Sequence, residues 1–211
     1  MNTYLLQLKR SPRAIAGLTI LLIWIIAALI GPALLPYTYT EMDMNNQMVG
    51  PGQAGHLLGT DALGRDVFSR IIYGSRSILT IALLTSLLSS IAGIIIGFTA
   101  GYFGGIVDTI FLRIMDILMA IPPLVLAMVV LGILGNSTIL GLTIIVSIAY
   151  TPATARVARG ALLTCKSSEY VDAARIRGES HLYIMFVEIL PNTIGPVIVE
   201  ITARFAYSIM M

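Results

Sequence analysis

The chain has 211 residues, 57% of them hydrophobic and only 11% charged, with a mean hydropathy of +0.90. A soluble domain carries about a quarter charged residues to cover its surface, so this composition excludes one. Lys and Arg exceed Asp and Glu by only 13 to 11, which leaves no footprint for nucleic acid. One cysteine, Cys165, excludes an internal disulfide and any multi-cysteine metal site. His56 and His181 stand far apart without ligand-like neighbours; they read as satisfied polar or surface residues, and no cofactor or metal is expected.

The first element is Ala14–Leu35, 22 residues without a charge, enough to cross a hydrocarbon core of about 30 Å. Lys9, Arg10 and Arg13 precede it. The run is too long for a signal peptide and no small-residue cleavage site follows, so it reads as a retained span. Residues 37–76 are polar and turn-rich, with Pro51 and six glycines. Their last part, HLLGTDALGRDVFSRIIYGSRS, reads as a turn at Gly59-Thr60-Asp61 leading into an amphipathic helix. Residues 1–76 thus form a tail, a first span and an extracytoplasmic loop.

Residues 77–211 form the membrane core. Ser77–Val107 carries no charge and holds a second span with room to spare. Gly93, Gly97, Gly101 and Gly105 recur every four residues. That places a smooth stripe on one helical face where another helix can approach closely, although simple tolerance of glycine in membrane helices gives the same pattern. Asp108, Arg113 and Asp116 mark the next boundary. Residues 117–155 are then 39 uncharged positions. One helix of that length would run about 58 Å, twice the bilayer core, so two spans are expected. GNST (135–138) is the natural turn between them, and Pro122, Pro123 and Pro152 should kink or end helices. The fifth run, Asn192–Met211, holds Glu200 and Arg204 one turn apart in the acid-first order. Charges at membrane depth usually face a bundle interior or a water-filled path; a helix-internal pair is the alternative, and both readings stay open.

Five spans put the N-terminal tail, the 103–116 connection and the 156–190 segment on one side. That side holds nine basic residues: Lys9, Arg10, Arg13, Arg113, Arg156, Arg159, Lys166, Arg175 and Arg177. The other has three, Arg65, Arg70 and Arg76. The excess places the tail and the 156–190 segment in the cytoplasm.

SEYVDAARIRGESHLYIMFVEILPN (168–192) is the polar exception in this chain. Ser168 reads as an N-cap, Glu169 and Asp172 as first-turn acids, and Arg175 and Arg177 as last-turn bases. Gly178 reads as the left-handed closing residue. The result is a helix of about three turns inside a cytoplasmic loop. Tyr170, Ala173, Ala174 and Arg177 share one face by the three-four spacing, and the two alanines leave a low-relief surface for a partner's groove. A second short helix is expected from Ser180, stopped by Pro191. A helix lying on the bilayer is the weaker reading, because the alanine face has little apolar area to bury.

This segment resembles the EAA loop of ABC importer permeases, whose pattern is Glu-Ala-Ala, three residues, Gly, nine residues, then Ile-x-Leu-Pro. Asp172, Ala173, Ala174, Gly178, Leu190 and Pro191 stand at that spacing. Asp172 replaces the usual Glu and keeps its charge; Glu188 stands where Ile is expected. LLGTDALGRDVFSRIIYGSRSIL (57–79) is similar to the segment before the second span in permeases of the dipeptide, oligopeptide and nickel group. The opening SPRAIAGLTILLI is also similar to theirs.

The resemblance implies an all-α polytopic membrane helix bundle of the type I importer kind, with no enzymatic site of its own. Its implied partners are a second homologous permease, two cytoplasmic ATP-binding subunits, an extracytoplasmic solute-binding protein and membrane lipid. It makes Glu169, Asp172, Ala173, Ala174, Gly178, Leu190 and Pro191 the residues that couple to the ATPase. Peptides, nickel and glutathione-like solutes are all candidate cargoes. The family usually has six spans, so a chain with five is expected to be a truncated form. No phosphate-binding loop is present, since neither lysine, Lys9 or Lys166, follows a glycine. A secondary transporter or channel would share the helices and the buried charges, but inverted repeats are not visible.

Overall fold

The structure, a computed structural model, describes residues 11–135 and 138–211; Lys9 and Arg10, and Asn136 and Ser137 of the expected GNST turn, lie outside the described residues. Among the described residues the fold is all-α. Four helices are long and apolar enough to cross a membrane, and a bent pair of shorter ones can serve as a fifth span. The chain divides into two compact units, residues 1–80 and 81–211.

In the first unit, α1 (Pro12–Leu34) opens at Ser11, whose hydroxyl accepts from the Ala14 N–H at 3.4 Å, with Pro12 in the first turn where its missing donor costs nothing. Apolar side chains surround it and nearly all are exposed, as lipid contact requires. It ends at Leu35, in extended conformation before Pro36.

The polar loop that follows is a cross-braced module. The N–H groups of Asp43, Met48, Thr60 and Val67 donate to the carbonyls of Gly64, Asp61, Val49 and Gly59 at 3.1–3.2 Å. Gly59 and Gly64 have φ of +80° and +72°, and a Cβ at Gly64 would lie 2.6 Å from the Asp43 carbonyl carbon. Only glycine fits there. Asp61 accepts from the Leu63 and Arg65 N–H groups at 2.9 and 3.0 Å and from the Arg65 guanidinium at 2.9 Å, and it also pairs with Arg70. Asp66 binds His56 Nδ1 at 2.9 Å and takes the Ser69 N–H at 2.7 Å; His56 and Asp66 are each 4% exposed. His56 is therefore a satisfied polar residue, stacked on Tyr37 at 4.6 Å. GTDALGRD is the device that ties this loop to itself. The expected turn, amphipathic helix and second span prove to be a turn and one helix, α2 (Val67–Phe103), 37 residues long.

In the second unit, α2 ends at Phe103. Gly104 and Gly105, with φ of +69° and +55°, then turn the chain into α3 (Gly105–Met119). α3 and α4 (Pro123–Leu134) meet at 81° across the Pro122–Pro123 break. The 103–116 connection is thus mostly helical, and the helical run that can serve as the third span begins at Gly105, before residue 117. The charges misled the reading because they are neutralised within the fold. Asp108 forms a two-pronged bond at 2.6 Å with Arg159, and Asp116 pairs with Arg156. Both arginines lie on α5 (Ile139–Cys165), which Thr138 caps by accepting from Gly141. Pro152 does not end α5: it is fully buried, and packing on all sides carries the helix through.

α6 (Glu169–Ile176) and α7 (His181–Tyr183) follow, then a π turn (Ile184–Ile189) and α8 (Leu190–Met210). Pro191 does not stop the helix that begins at His181, which runs unbroken to Met210. The π turn ahead of it changes the hydrogen-bond register where the proline would remove a donor.

Partial burial raises the Asp61 carboxyl, but the Arg65 and Leu63 N–H groups and the Arg65 guanidinium outweigh it. They hold the group at about 2, against the usual 3.8. A depressed carboxylate stabilises fully above its unfolded pKa and loses that contribution as pH falls through its folded one. The Leu63 and Arg65 amides should therefore stay protected from hydrogen exchange at pH 5 and lose protection between about pH 4 and 2. Asp61→Asn should flatten that dependence; an unchanged acid transition in the variant would place the brace elsewhere.

Candidate coupling loop and intramembrane charge pair

The loop is assembled on the C-terminal turns of α2 and α5. A Cβ at Gly93 would lie 2.6 Å from Thr154 Cβ, one at Gly97 2.9 Å from the Arg159 nitrogen, and one at Gly101 3.1 Å from Leu162. These three glycines let α2 and α5 touch backbone to backbone, whereas Gly105 has open space around it. Where α5 ends, Lys166 Nζ donates to the Gly101 carbonyl at 2.9 Å. A cation there answers the partial negative charge at the end of α2.

α6 is eight residues, about two turns rather than three. Ser168 has the extended backbone of an N-cap, but its hydroxyl makes no capping bond. Glu169 and Asp172 stand in the first turn, and Arg175 binds Asp172 at 2.9 Å. Gly178 closes the helix at φ +80°; its N–H reaches the Arg175 carbonyl, and the Glu179 N–H reaches that of Ala174. No atom crowds its missing Cβ, so it is the backbone angle that requires glycine.

Ala174 and Val171 are fully buried, packed with Phe98, Tyr102, Ala158, Leu162, Ile184, Met185 and Ile189. This corrects the expectation that Tyr170, Ala173, Ala174 and Arg177 form one outward face. Ala174 points inward, and its small size lets α6 sit tightly on α2 and α5. The outward edge is Glu169, Asp172, Ala173, Ile176 and Arg177, and Ile176 is 87% exposed. Sequence reasoning missed Ile176, because an isoleucine between two arginines reads as part of a solvated stretch.

Two bonds fasten the rest of the loop. Tyr102 Oη lies 3.1 Å from His181 Nδ1. Arg177 donates to Glu188 at 2.8 Å, so the acid that departs from the motif pairs with a base at the end of α6. Leu190 packs against the core cluster, and Pro191 is exposed.

On α8, Arg204 Nε sits 2.6 Å from Glu200 Oε1, with side chains 17% and 14% exposed. The guanidinium lies over the rings of Tyr150 and Tyr207, 5.5 and 5.0 Å from their centroids. The pair is thus helix-internal and largely buried against α5.

Residues 93–211 match the family described as the binding-protein-dependent transport system inner membrane component. The chain belongs to this family. Residues 3–51 also match the N-terminal TM domain of oligopeptide transport permease C. The chain is 34% identical over 207 residues to the dipeptide transport system permease protein DppC of Haemophilus influenzae, covering 96% of the chain and 70% of that protein. It is 39% identical over 198 residues to DppC of Bacillus subtilis (93% and 61%). Its identity to the glutathione transport system permease protein GsiD of Pectobacterium atrosepticum is 37% over 206 residues (96% and 67%). The chain thus spans between 61% and 70% of the length of these three relatives. Membership in the family makes it a multi-pass membrane transport component rather than an enzyme.

The burial pattern separates two neighbouring alanines. Ala174→Trp forces a ring into a filled core and should cost about 1–3 kcal/mol, seen as a lower melting temperature in detergent. Ala173→Trp, on the exposed edge, should stay within about 0.5 kcal/mol of the parent. Equal destabilisation by both would contradict the assigned faces.

Proposed function

We propose that the chain is the permease subunit of an ATP-driven importer of short peptides or a closely related solute. In this reading α6 is its docking element for a cytoplasmic ATPase. The observation that carries the reading is the two-sided build of α6: Ala174 and Val171 anchor it, while Ala173 and Ile176 are left outside. An isoleucine left 87% exposed, more than Leu182 or Val187 of the same segment, is what a partner's groove would cover. The cargo class is supported by relatives named for dipeptide and glutathione transport. The assembly is then a second homologous permease, two ATP-binding subunits and an extracytoplasmic solute-binding protein.

The mechanism follows from how the loop is fastened. Closure of the ATPase pair pushes on α6. The loop is held by the core around Ala174 and by the Lys166–Gly101, Tyr102–His181 and Arg177–Glu188 bonds. It cannot yield separately from the inner ends of α2, α5 and α8, so the push moves those helices as a body.

Ile176→Asp should leave membrane levels unchanged and reduce co-purification of the ATPase subunits by at least about tenfold, by placing a desolvated charge in the groove. Normal co-purification and uptake would sink the docking role. Sidedness is tested with Ser167→Cys in a Cys165→Ser background, because position 167 is exposed and Cys165 only partly so. An impermeant maleimide should react only after spheroplasts are permeabilised. Labelling of intact spheroplasts would overturn the cytoplasmic placement of the loop and, with it, of the N-terminus.

A further inference from the structure

The Glu200–Arg204 pair is close but poorly satisfied. At 2.6 Å the contact lies outside hydrogen-bond alignment, and Glu200 Oε1 and Arg204 Nε, both buried, have no hydrogen-bond partner among the described residues. One turn further along α8, Ser208 is 9% exposed and its hydroxyl is also buried without a partner. Residues 200, 204 and 208 follow one another at four-residue spacing, so these groups share one face of α8. Facing that row, Tyr150 of α5 lays its ring on the Arg204 guanidinium, and Tyr207 lays a second ring there.

An ion pair kept only for structure would be aligned and saturated, since an unsatisfied charge in an apolar bundle is expensive. This one combines an acid, a base and a hydroxyl with bonding capacity to spare. The Tyr150 and Tyr207 rings lie 5.5 and 5.0 Å from the guanidinium carbon, and the N–H groups of the guanidinium are its means of gripping a carboxylate.

We propose that the Glu200–Arg204–Ser208 face of α8, with Tyr150 and Tyr207, recognises the charged termini of a short peptide. Arg204 takes the carboxylate and Glu200 the ammonium group. This rests on the peptide-import reading above and deepens it by naming the contact residues. The electrostatics suit a zwitterion: one internal pair opens and two new pairs form, with no net charge brought into the membrane. The Ser208 hydroxyl supplies a further donor or acceptor beside the carboxylate end.

The test uses the complete importer, purified in lipid nanodiscs without its solute-binding protein, and radiolabelled Ala-Phe. N-acetyl-Ala-Phe and Ala-Phe-amide serve as competitors. The unsubstituted importer should bind the free dipeptide at least about tenfold more tightly than either blocked form. Arg204→Gln should remove the preference over the amide and keep that over the acetylated peptide; Glu200→Gln should do the reverse. Arg204→Lys should retain part of the carboxylate preference. The exchanged double variant Glu200→Arg/Arg204→Glu should reach normal membrane levels yet fail to restore binding. Full recovery in that variant, or equal loss for all three peptides in the single variants, would show a structural pair and overturn the proposal. Cells that import Ala-Phe while the purified importer shows no Arg204-dependent binding would sink this proposal alone. Cells that import none would sink the peptide reading with it.

Discussion

The contact on which the second unit depends is the approach of α2 to α5 along Gly93, Gly97 and Gly101. Lipid offers no hydrophobic drive for two apolar helices to meet, so dispersion and close fit must supply it. A methyl group at Gly93 would already press on Thr154, and one at Gly97 would overlap the Ala155 carbonyl. Because the two backbones lie this close, Lys166 reaches the Gly101 carbonyl. The same closeness lets Phe98 and Leu162 form the floor on which Ala174 rests.

Arg159 shows how polar groups are brought into this arrangement. It lies along the glycine stripe, with its Cγ 3.3 Å from where a Gly101 Cβ would be, and its head group grips Asp108 of α3 in two places. A bidentate pair is the geometry that best offsets the cost of taking both charges out of water. It joins α3 to a helix pair that is already fixed. Arg156 and Asp116 make a more exposed version of the same link.

Much of this could be read from residue spacing, and the exceptions share a cause. Long uncharged runs gave the helices that can span a membrane, and Gly178 signalled a left-handed end that the backbone adopts. A helical period tells which side chains share a face but not which face is covered, so Ala174 was placed outside when Phe98 and Tyr102 bury it. Asp108 and Asp116 were taken to mark a loop because their partners, Arg159 and Arg156, are about 40 to 50 positions away. Pro191 was read as a stop because a π turn has no sequence signature of its own. Ile176 went unnoticed because only burial reveals that an apolar side chain has been left uncovered.

The π turn between Ile184 and Ile189 also sets an angle. Such a turn holds one residue more than the α-helix it interrupts, and each α-helical residue advances the chain by about 100°. The orientation of everything after it on α8 therefore depends on that extra residue. Were the same residues wound as a plain α-helix, with none removed, Glu200 and Arg204 would swing round by about that angle. The guanidinium would leave the Tyr150 ring and turn toward a different neighbour. The winding of Ile184–Ile189 thus decides which way Glu200 and Arg204 point.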